Sequence, residues 1–358
     1  MAAPIFNEIR TQLNNMLFNT KASYYFEPLV EKYFPSKSLV STKATVVSVN
    51  KENENMLTIK LKPNRKWNGF IAGQYVETQL KINAVNYTRI FSISSSEDEY
   101  KSSGTITLTI QKQDQGKVTP WLFENLEVGS IIKISDAKGE FILHDKNRPV
   151  LMIAGGSGIT PFYAMLQKCA NENTNAVLLY YAKDKQHIFR NKLDKLTLNK
   201  QITVHYMSST TEGRLSKQQL EKYCPDYYFR QVFICGPNTM ISDTTMLLKH
   251  NSVDADNIFS EYFKPVLYPV HFKFNKNKSK IIYKNKEIYT AGSKTILEQL
   301  EAHGENPKHG CRMGLCKECQ CTKNKGIVYN TLTQKFSEAT PETIQICVSI
   351  PVGDVEII

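Results

Sequence analysis

Four cysteines near the end of the chain are the residues whose type and spacing most constrain its chemistry. Cys311, Cys316 and Cys319 stand as C-x4-C-x2-C, and Cys347 follows. This is the ligand order of a plant-type [2Fe–2S] cluster, in which four thiolates hold two irons. Gly314 suits a loop wrapped closely round such a cluster, because a residue without Cβ lets backbone amides turn toward sulfur. The competing reading is a structural zinc site, since Cys316-x-x-Cys319 alone forms a zinc knuckle. Zinc ribbons pair two short knuckles, whereas here the second half offers only Cys347. Cys321, two residues beyond Cys319 on the outgoing chain, is expected not to be a ligand. The seven histidines form no cluster at ligand spacing, and none is assigned to metal.

If the cysteines hold iron, other residues must supply electrons. Arg89-Ile90-Phe91-Ser92 places a cation, an aromatic face and a hydroxyl on one extended stretch. A flavin needs such a set: a cation for the FAD pyrophosphate, a face to stack on, and a donor near its reactive nitrogen. Downstream, Gly116-Lys117-Val118-Thr119 precedes a helical stretch at 120–126, whose first amides and the Thr119 hydroxyl form a candidate phosphate site. Gly155, Gly156, Gly158, Ile159, Thr160 and Pro161 follow a continuous apolar run at 149–154. A buried strand, a glycine turn and a helix start make a dinucleotide phosphate-binding unit, although this is not the G-x-G-x-x-G fingerprint. Cys235-Gly236-Pro237 ends a later strand, which favours a pocket role for Cys235 over a small core residue.

The elements that must position these residues fall into blocks. Residues 4–20 have the spacing of an amphipathic helix, and an apolar cluster follows to Phe34. This helical N-terminal extension, 1–39, packs on the body or serves as a docking surface. Between 40 and 145, short alternating strands at 44–49, 56–61, 74–80, 87–93, 104–111 and 131–135 predict an antiparallel β-barrel. From 146 to 263 strands at 149–154, 176–181, 202–207 and 231–235 alternate with helices at 162–170, 187–196 and 216–222. That alternation predicts an α/β domain with a parallel sheet, its ligands at the strand carboxyl ends. Residues 264–269 read as a proline-stiffened linker. The last block, 270–358, predicts hairpin strands at 270–274 and 280–283, a helix at 295–302, the cysteine loop, and a strand at 346–349.

At 358 residues, with 41% hydrophobic and 22% charged residues, the composition is that of a multidomain globular protein. No apolar run is long enough for a transmembrane helix, and residues 1–20 lack the pattern of a signal peptide. Eight cysteines without a secretion signal indicate a reducing compartment, so a cytoplasmic protein is expected, peripheral at a membrane only through its partner; a monomer is expected. The net charge of +11 is spread along the chain with no nucleic-acid reading element, so no nucleic-acid partner is expected. It suits an acidic redox partner or anionic lipid headgroups.

Together these motifs, in this order over about residues 40–358, resemble the ferredoxin–NADP⁺ reductase superfamily, and more closely its members with a C-terminal plant-type [2Fe–2S] ferredoxin domain of α+β, β-grasp-like fold. The resemblance implies that Arg89 to Ser92 and Gly116 to Thr119 bind FAD. It implies that the Gly155–Pro161 stretch holds the pyrophosphate of NADPH or NADH, and that Cys235-Gly236-Pro237 lies by the nicotinamide. The family's reactive serine, cysteine and glutamate match Ser92, Cys235 and Glu261. Phe91 stands where the family usually has tyrosine. Ser208-Ser209 stands where many NADPH users have Ser-Arg, leaving Lys183, Arg190 or Arg214 to compensate. The implied partner is a separate oxygen-activating enzyme. The N-terminal extension and the stretch from Pro63 to Val76 look most like partners of membrane-embedded acyl-CoA desaturases; reductases of soluble ring-hydroxylating, epoxidising or steroid mono-oxygenases are the alternative. Two other readings stay open: a zinc-stapled interaction protein without activity, and an electron-transfer subunit fixed in a larger complex.

Overall fold

The computed structural model describes residues 41–358 except 84, 115, 184–185, 264–278, 291–293 and 334, together with a few positions between 27 and 38. The expected helix at 4–20, the linker and the expected strand at 270–274 lie outside the described residues.

Strands β1 (Thr42–Asn53), β2 (Met56–Pro63), β3 (Tyr75–Ile82), β4 (Val85–Ser92), β5 (Ile106–Gln111) and β6 (Ile131–Ile134) form one antiparallel sheet ordered β4-β3-β6-β1-β2-β5. Its ends meet where Ile93 bridges Leu108 and the Ser94 amide donates to the Thr107 carbonyl at 2.8 Å, so the sheet curls into the expected barrel-like shape. Val46, Leu57, Ile59, Leu61, Val76 and Leu108 fill the interior, plugged by Val118 and Leu122 of helix α2 (Val118–Asn125). Between β4 and β5 lies an unexpected helix, α1 (Glu97–Ser103), started by the Ser96 hydroxyl on the Glu99 amide.

Strands β7 (Val150–Gly155), β8 (Ala176–Ala182), β9 (Ile202–Ser208), β10 (Gln231–Gly236) and β11 (Ile258–Tyr262) form a parallel sheet ordered β11-β10-β7-β8-β9. Alternate residues serve opposite faces. Met152, Ala154, Leu178 and Phe233 pack under α3 (Ile159–Glu172) and α4 (Arg190–Leu196), while Leu151, Ile153, Leu179 and Ile234 pack under α5 (Lys217–Tyr223) and α6 (Asn238–His250). Burial on both faces explains the unbroken apolar runs. The helix expected from residue 187 starts at Arg190 instead. The His187 Nε2 bridges the carbonyls of Tyr180 and Met207 at 3.0 and 3.1 Å, which holds the chain against the strand ends until Phe189 turns at φ 63°.

The third block is a mixed sheet, ordered β13-β12-β19-β14-β17, of β12 (Ser279–Tyr283), β13 (Lys286–Thr290), β14 (Gln320–Lys325), β17 (Glu342–Gln345) and β19 (Val355–Ile357). Beside it β15 (Val328–Asn330), β16 (Lys335–Phe336) and β18 (Ser349–Pro351) make a smaller one. Helix α7 (Ile296–Ala302) presses Ile296, Leu297 and Leu300 against Ile281, Ile344 and Val355, and its capping box pairs Thr295 with Glu298. Strand β12 pairs antiparallel with β13 in a hairpin and parallel with β19. Residues 346–348, expected in a strand, form a turn instead. A strand would alternate its side chains, whereas the turn docks on Cys319 by the Ile346 amide donating to the Cys319 carbonyl at 3.2 Å.

Candidate active site

The barrel-like sheet and the parallel sheet are tied across α1 and α3. The Glu97 carboxylate accepts from the Ala72 amide at 3.0 Å and from Lys168 Nζ at 2.8 Å, and Asn171 Nδ2 donates to Asp98 Oδ2 at 2.7 Å. This fixes the cleft where the barrel strand β4 faces the carboxyl ends of β10 and β11. There Ser92 Oγ donates to Glu261 Oε2 at 3.1 Å, although 169 positions separate them. Parallel register sets Cys235 beside Glu261 on one side and Ala154 on the other. Three residues expected at the reactive centre therefore converge, all buried.

Burial decides their charge states. The Glu261 carboxyl, with no cation beside it, is pushed from 4.5 to about 8, with the Ser92 hydroxyl pulling weakly the other way. Burial also pushes the Cys235 thiol up, and Glu261 adds to it. Cys235 is thus a neutral, close-packed thiol and not a nucleophilic thiolate.

The candidate phosphate turns have a shared signature. Gly155 ends β7, Gly156–Gly158 form a single 3₁₀ turn, and α3 begins at Ile159, with Thr160 Oγ1 donating to the Ser157 carbonyl at 3.0 Å. Pro161 sits in the first helical turn, where no amide is needed. A Cβ on Gly158 would lie 2.1 Å from the Cys235 carbonyl, so only glycine lets this turn rest on β10. Helices α2, α3 and α6, starting at Lys117, Gly158 and Pro237, have no side-chain cap. Helices α1, α5 and α7, away from these turns, are each capped by a serine or threonine, whereas α4, also away from them, begins after Phe189 without a side-chain cap. Uncapped first-turn amides are anion donors. The Thr119 hydroxyl, expected to join them, lies inside α2 and accepts from the Gln113 amide at 2.8 Å.

Arg89 and Phe91 are half-buried on β4, with Ile90 between them. The Arg89 guanidinium donates to the Thr88 carbonyl at 2.8 Å. Burial and then the Arg312 guanidinium of the cysteine loop hold it below its ordinary value. Arg312 is itself paired with the Glu301 carboxylate, its Nη1 donating to Glu301 Oε2 at 2.9 Å. Tyr75, read in the sequence only as part of a strand, pairs with Ser92 in the β3–β4 ladder. Burial raises its hydroxyl, with Glu77, Glu261, Cys311 and Cys316 adding in that order, so it sits where barrel, reactive carboxyl and cysteine loop meet.

The four cysteines are arranged as two pairs. Cys319 Sγ and Cys347 Sγ are 3.1 Å apart, while the Cys311 amide donates to Cys316 Sγ at 3.1 Å and the Cys316 amide to Cys311 Sγ at 3.3 Å. The Met313 amide adds a further donor to Cys311 Sγ at 3.3 Å. In each pair one thiol is drawn down toward thiolate by the other's hydrogen bond, Cys311 to about 6 and Cys319 to about 7. Among the described residues no three of His, Cys, Asp and Glu gather as ligands for a single metal ion. Zinc would draw four sulfurs about one point; a two-iron cluster takes two thiolates at each iron. The paired arrangement fits the second. Gly310 permits it, because a Cβ there would lie 2.7 Å from Cys316 Sγ. Cys321 continues into β14 opposite Ile344, and burial pushes its thiol to about 12.

Residues 41–142 match the oxidoreductase FAD-binding domain, and residues 152–246 the oxidoreductase NAD-binding domain. The chain therefore carries an oxidoreductase FAD-binding domain followed by an oxidoreductase NAD-binding domain. This oxidoreductase depends on NAD(P)H. It is similar to an NADPH oxidoreductase of Mycobacterium tuberculosis, 25% identical over 89% of this chain and 85% of the relative. It is also similar to the NADH oxidoreductase HCR of Escherichia coli, 28% identical over 79% and 87%. The glycine betaine monooxygenase reductase subunit of Chromohalobacter salexigens is 26% identical over 72% and 78%. Among solved structures, phthalate dioxygenase reductase shares the fold at TM-score 0.60 and 16% identity, over 88% of this chain and 97% of that one. A self-sufficient cytochrome P450 monooxygenase does so at TM-score 0.62 and 18% identity over 90% of this chain, which spans 41% of that longer protein. Among the described residues no helix is long and apolar enough to cross a membrane.

Proposed function

We propose that this oxidoreductase passes electrons from NAD(P)H by way of FAD and a [2Fe–2S] cluster to a separate oxygen-activating enzyme. The observation that carries the reading is the pairing of the four cysteine thiols, Cys311 with Cys316 on one loop and Cys319 with Cys347 from the turn before β18. The proposed organisation is an FAD barrel at 40–145, a nucleotide domain at 146–263 and a β-grasp-like ferredoxin domain at 270–358. When bound, FAD accepts a hydride and gives up electrons singly, and the cluster carries one electron at a time.

The chain's own residues do the rest. Arg89 meets the FAD pyrophosphate, joined by the open amides at the start of α2, and Phe91 offers an apolar face. The amides from Gly156 to Thr160 take the dinucleotide pyrophosphate. Ser92, Cys235 and Glu261 line the place where nicotinamide and flavin meet. Glu261, protonated at neutral pH, donates a hydrogen bond there without adding a charge that would oppose hydride movement. Cys235, fully buried beside Glu261, would keep water from the place the nicotinamide would take. Cys311, Cys316, Cys319 and Cys347 hold the cluster, and the amides of Met313 and Cys316 tune it through bonds to sulfur.

The acceptor is proposed from relatives that are named as reductase components of oxygenases, the glycine betaine and 3-ketosteroid-9-alpha monooxygenases among them. A membrane-embedded acyl desaturase is the specific acceptor that the basic charge and the N-terminal stretch favour. The test is an absorption spectrum of anaerobically purified protein before and after NADH and NADPH. Flavin bands over broad iron–sulfur absorption, both bleached by a nicotinamide nucleotide, are expected. Stoichiometric zinc without iron–sulfur absorption in reconstituted protein would overturn the electron path.

A further inference from the structure

The order of the parallel sheet dictates how a dinucleotide must lie, and so which residues meet its adenosine end. With pyrophosphate on the turn after β7 and nicotinamide beside Cys235 and Glu261 on β10 and β11, adenosine extends the other way, over β8 and β9. Strands lie about 4.8 Å apart, so the adenosine ribose falls on the ends of those two.

The chain closes that edge with a turn built on a carboxylate. The Glu212 amide donates to the Ser208 carbonyl at 2.8 Å, and Glu212 Oε2 accepts from the Ser208 amide at 2.5 Å. Gln219 Nε2 of the α5 capping box donates to the Glu212 carbonyl at 3.2 Å, and Tyr181 Oη at the end of β8 donates to Gln219 Oε1 at 3.2 Å. Glu212 is therefore held at the mouth of β8 and β9 although it is exposed. Two of the cations expected to receive a 2′-phosphate are engaged elsewhere. Arg214 pairs with Asp243, and the Arg190 guanidinium lies 4.4 Å from the Tyr206 ring centre.

We propose that Glu212 makes this oxidoreductase select NADH over NADPH, accepting a hydrogen bond from the ribose 2′-hydroxyl and repelling a 2′-phosphate. The proposal rests on the dinucleotide site described above. A carboxylate still has lone pairs to offer after receiving one amide. A phosphate placed there would bring two anions together at close range.

The test compares 5′-AMP with adenosine 2′,5′-bisphosphate, which differ only in the 2′-phosphate, by calorimetry on the FAD-loaded protein. Native protein should bind 5′-AMP roughly tenfold tighter or more, and added salt should narrow the gap. Glu212→Gln keeps an acceptor for the Ser208 amide but loses the charge. It should cut the discrimination by about tenfold, chiefly through tighter bisphosphate binding. The ratio of kcat/KM for NADH over NADPH in flavin reduction should move with it. Tighter bisphosphate binding by the native protein would overturn the proposal, and its loss in Arg214→Ala or Lys183→Ala would show which cation receives the phosphate, since an exposed pair such as Arg214–Asp243 is weak enough to open. An unchanged ratio in Glu212→Gln would also overturn it. If neither nucleotide binds, the dinucleotide site falls and Glu212's role with it.

Discussion

At the scale of single residues, Glu261 concentrates the energetics of the cleft. A carboxyl buried without a cation keeps its proton to about pH 8, whereas in the unfolded chain it releases it near 4.5. Between those values the folded protein binds the extra proton, so stability is present at the acid end and is lost as pH rises through about 8. The slope is about 1.4 kcal/mol per pH unit where only the unfolded state is ionised. Thermal unfolding of native protein should therefore show a midpoint that falls from pH 5.5 to pH 8.5, and Glu261→Gln should flatten that fall. Equal slopes in the two proteins would place the pH dependence elsewhere. The same substitution keeps a neutral donor, so hydride transfer in Glu261→Gln should lose its dependence on a group titrating near pH 8 while retaining most of its rate at pH 7.

At the scale of elements, the site depends on parts that carry no motif. The strands of the barrel and the parallel sheet were legible because alternation and continuous apolar runs report one-sided and two-sided burial. The glycine turns were legible because their backbone geometry excludes most residues. Helix α1 was not: Glu97-Asp98-Glu99-Tyr100-Lys101-Ser102-Ser103 buries none of its own side chains, so no apolar period marks it. Strand β11, which aims Glu261, is short and only partly buried, and the family resemblance alone pointed to that residue. The turn at Cys347 was hidden by an apolar run, Ile346-Cys347-Val348, that looks like a strand but folds round the sulfur. Yet α1 ties the barrel to the helix that follows β7. Glu97→Ala removes the acceptor of the Ala72 amide and of Lys168 and should cost about 1–3 kcal/mol in denaturant unfolding. It should also slow hydride transfer more than it weakens nucleotide binding, because it loosens the approach of Ser92 to Glu261 and leaves the glycine turns intact. A loss of stability with unchanged hydride transfer would show that α1 braces the sheets without setting their spacing.

At the scale of the whole molecule, the question is whether the three blocks form one conduit. Ser92 and Glu261 link the first two across the cleft, and Tyr75 and Arg89 of the barrel respond to Cys311, Cys316 and Arg312 of the third. The barrel is therefore hydrogen-bonded to the second block and within electrostatic reach of the third. Removing one cysteine separates these two connections. Cys347→Ser leaves Cys319 without its partner at 3.1 Å and takes away one of the two thiolates proposed for that iron. NADH should then still bleach the flavin at close to the native rate, because nothing in the cleft has changed. Transfer to a one-electron acceptor such as cytochrome c should fall by at least about tenfold, together with the broad iron–sulfur absorption. Cys321→Ser, whose thiol is buried and held in the protonated state, should keep both. If Cys347→Ser instead slows flavin bleaching as strongly as acceptor reduction, the third block is a structural brace on the barrel and the conduit does not run through it. If Cys347→Ser keeps its colour and its acceptor rate, the pairing of sulfurs seen here does not hold the cluster, and Cys321 becomes the ligand to test next.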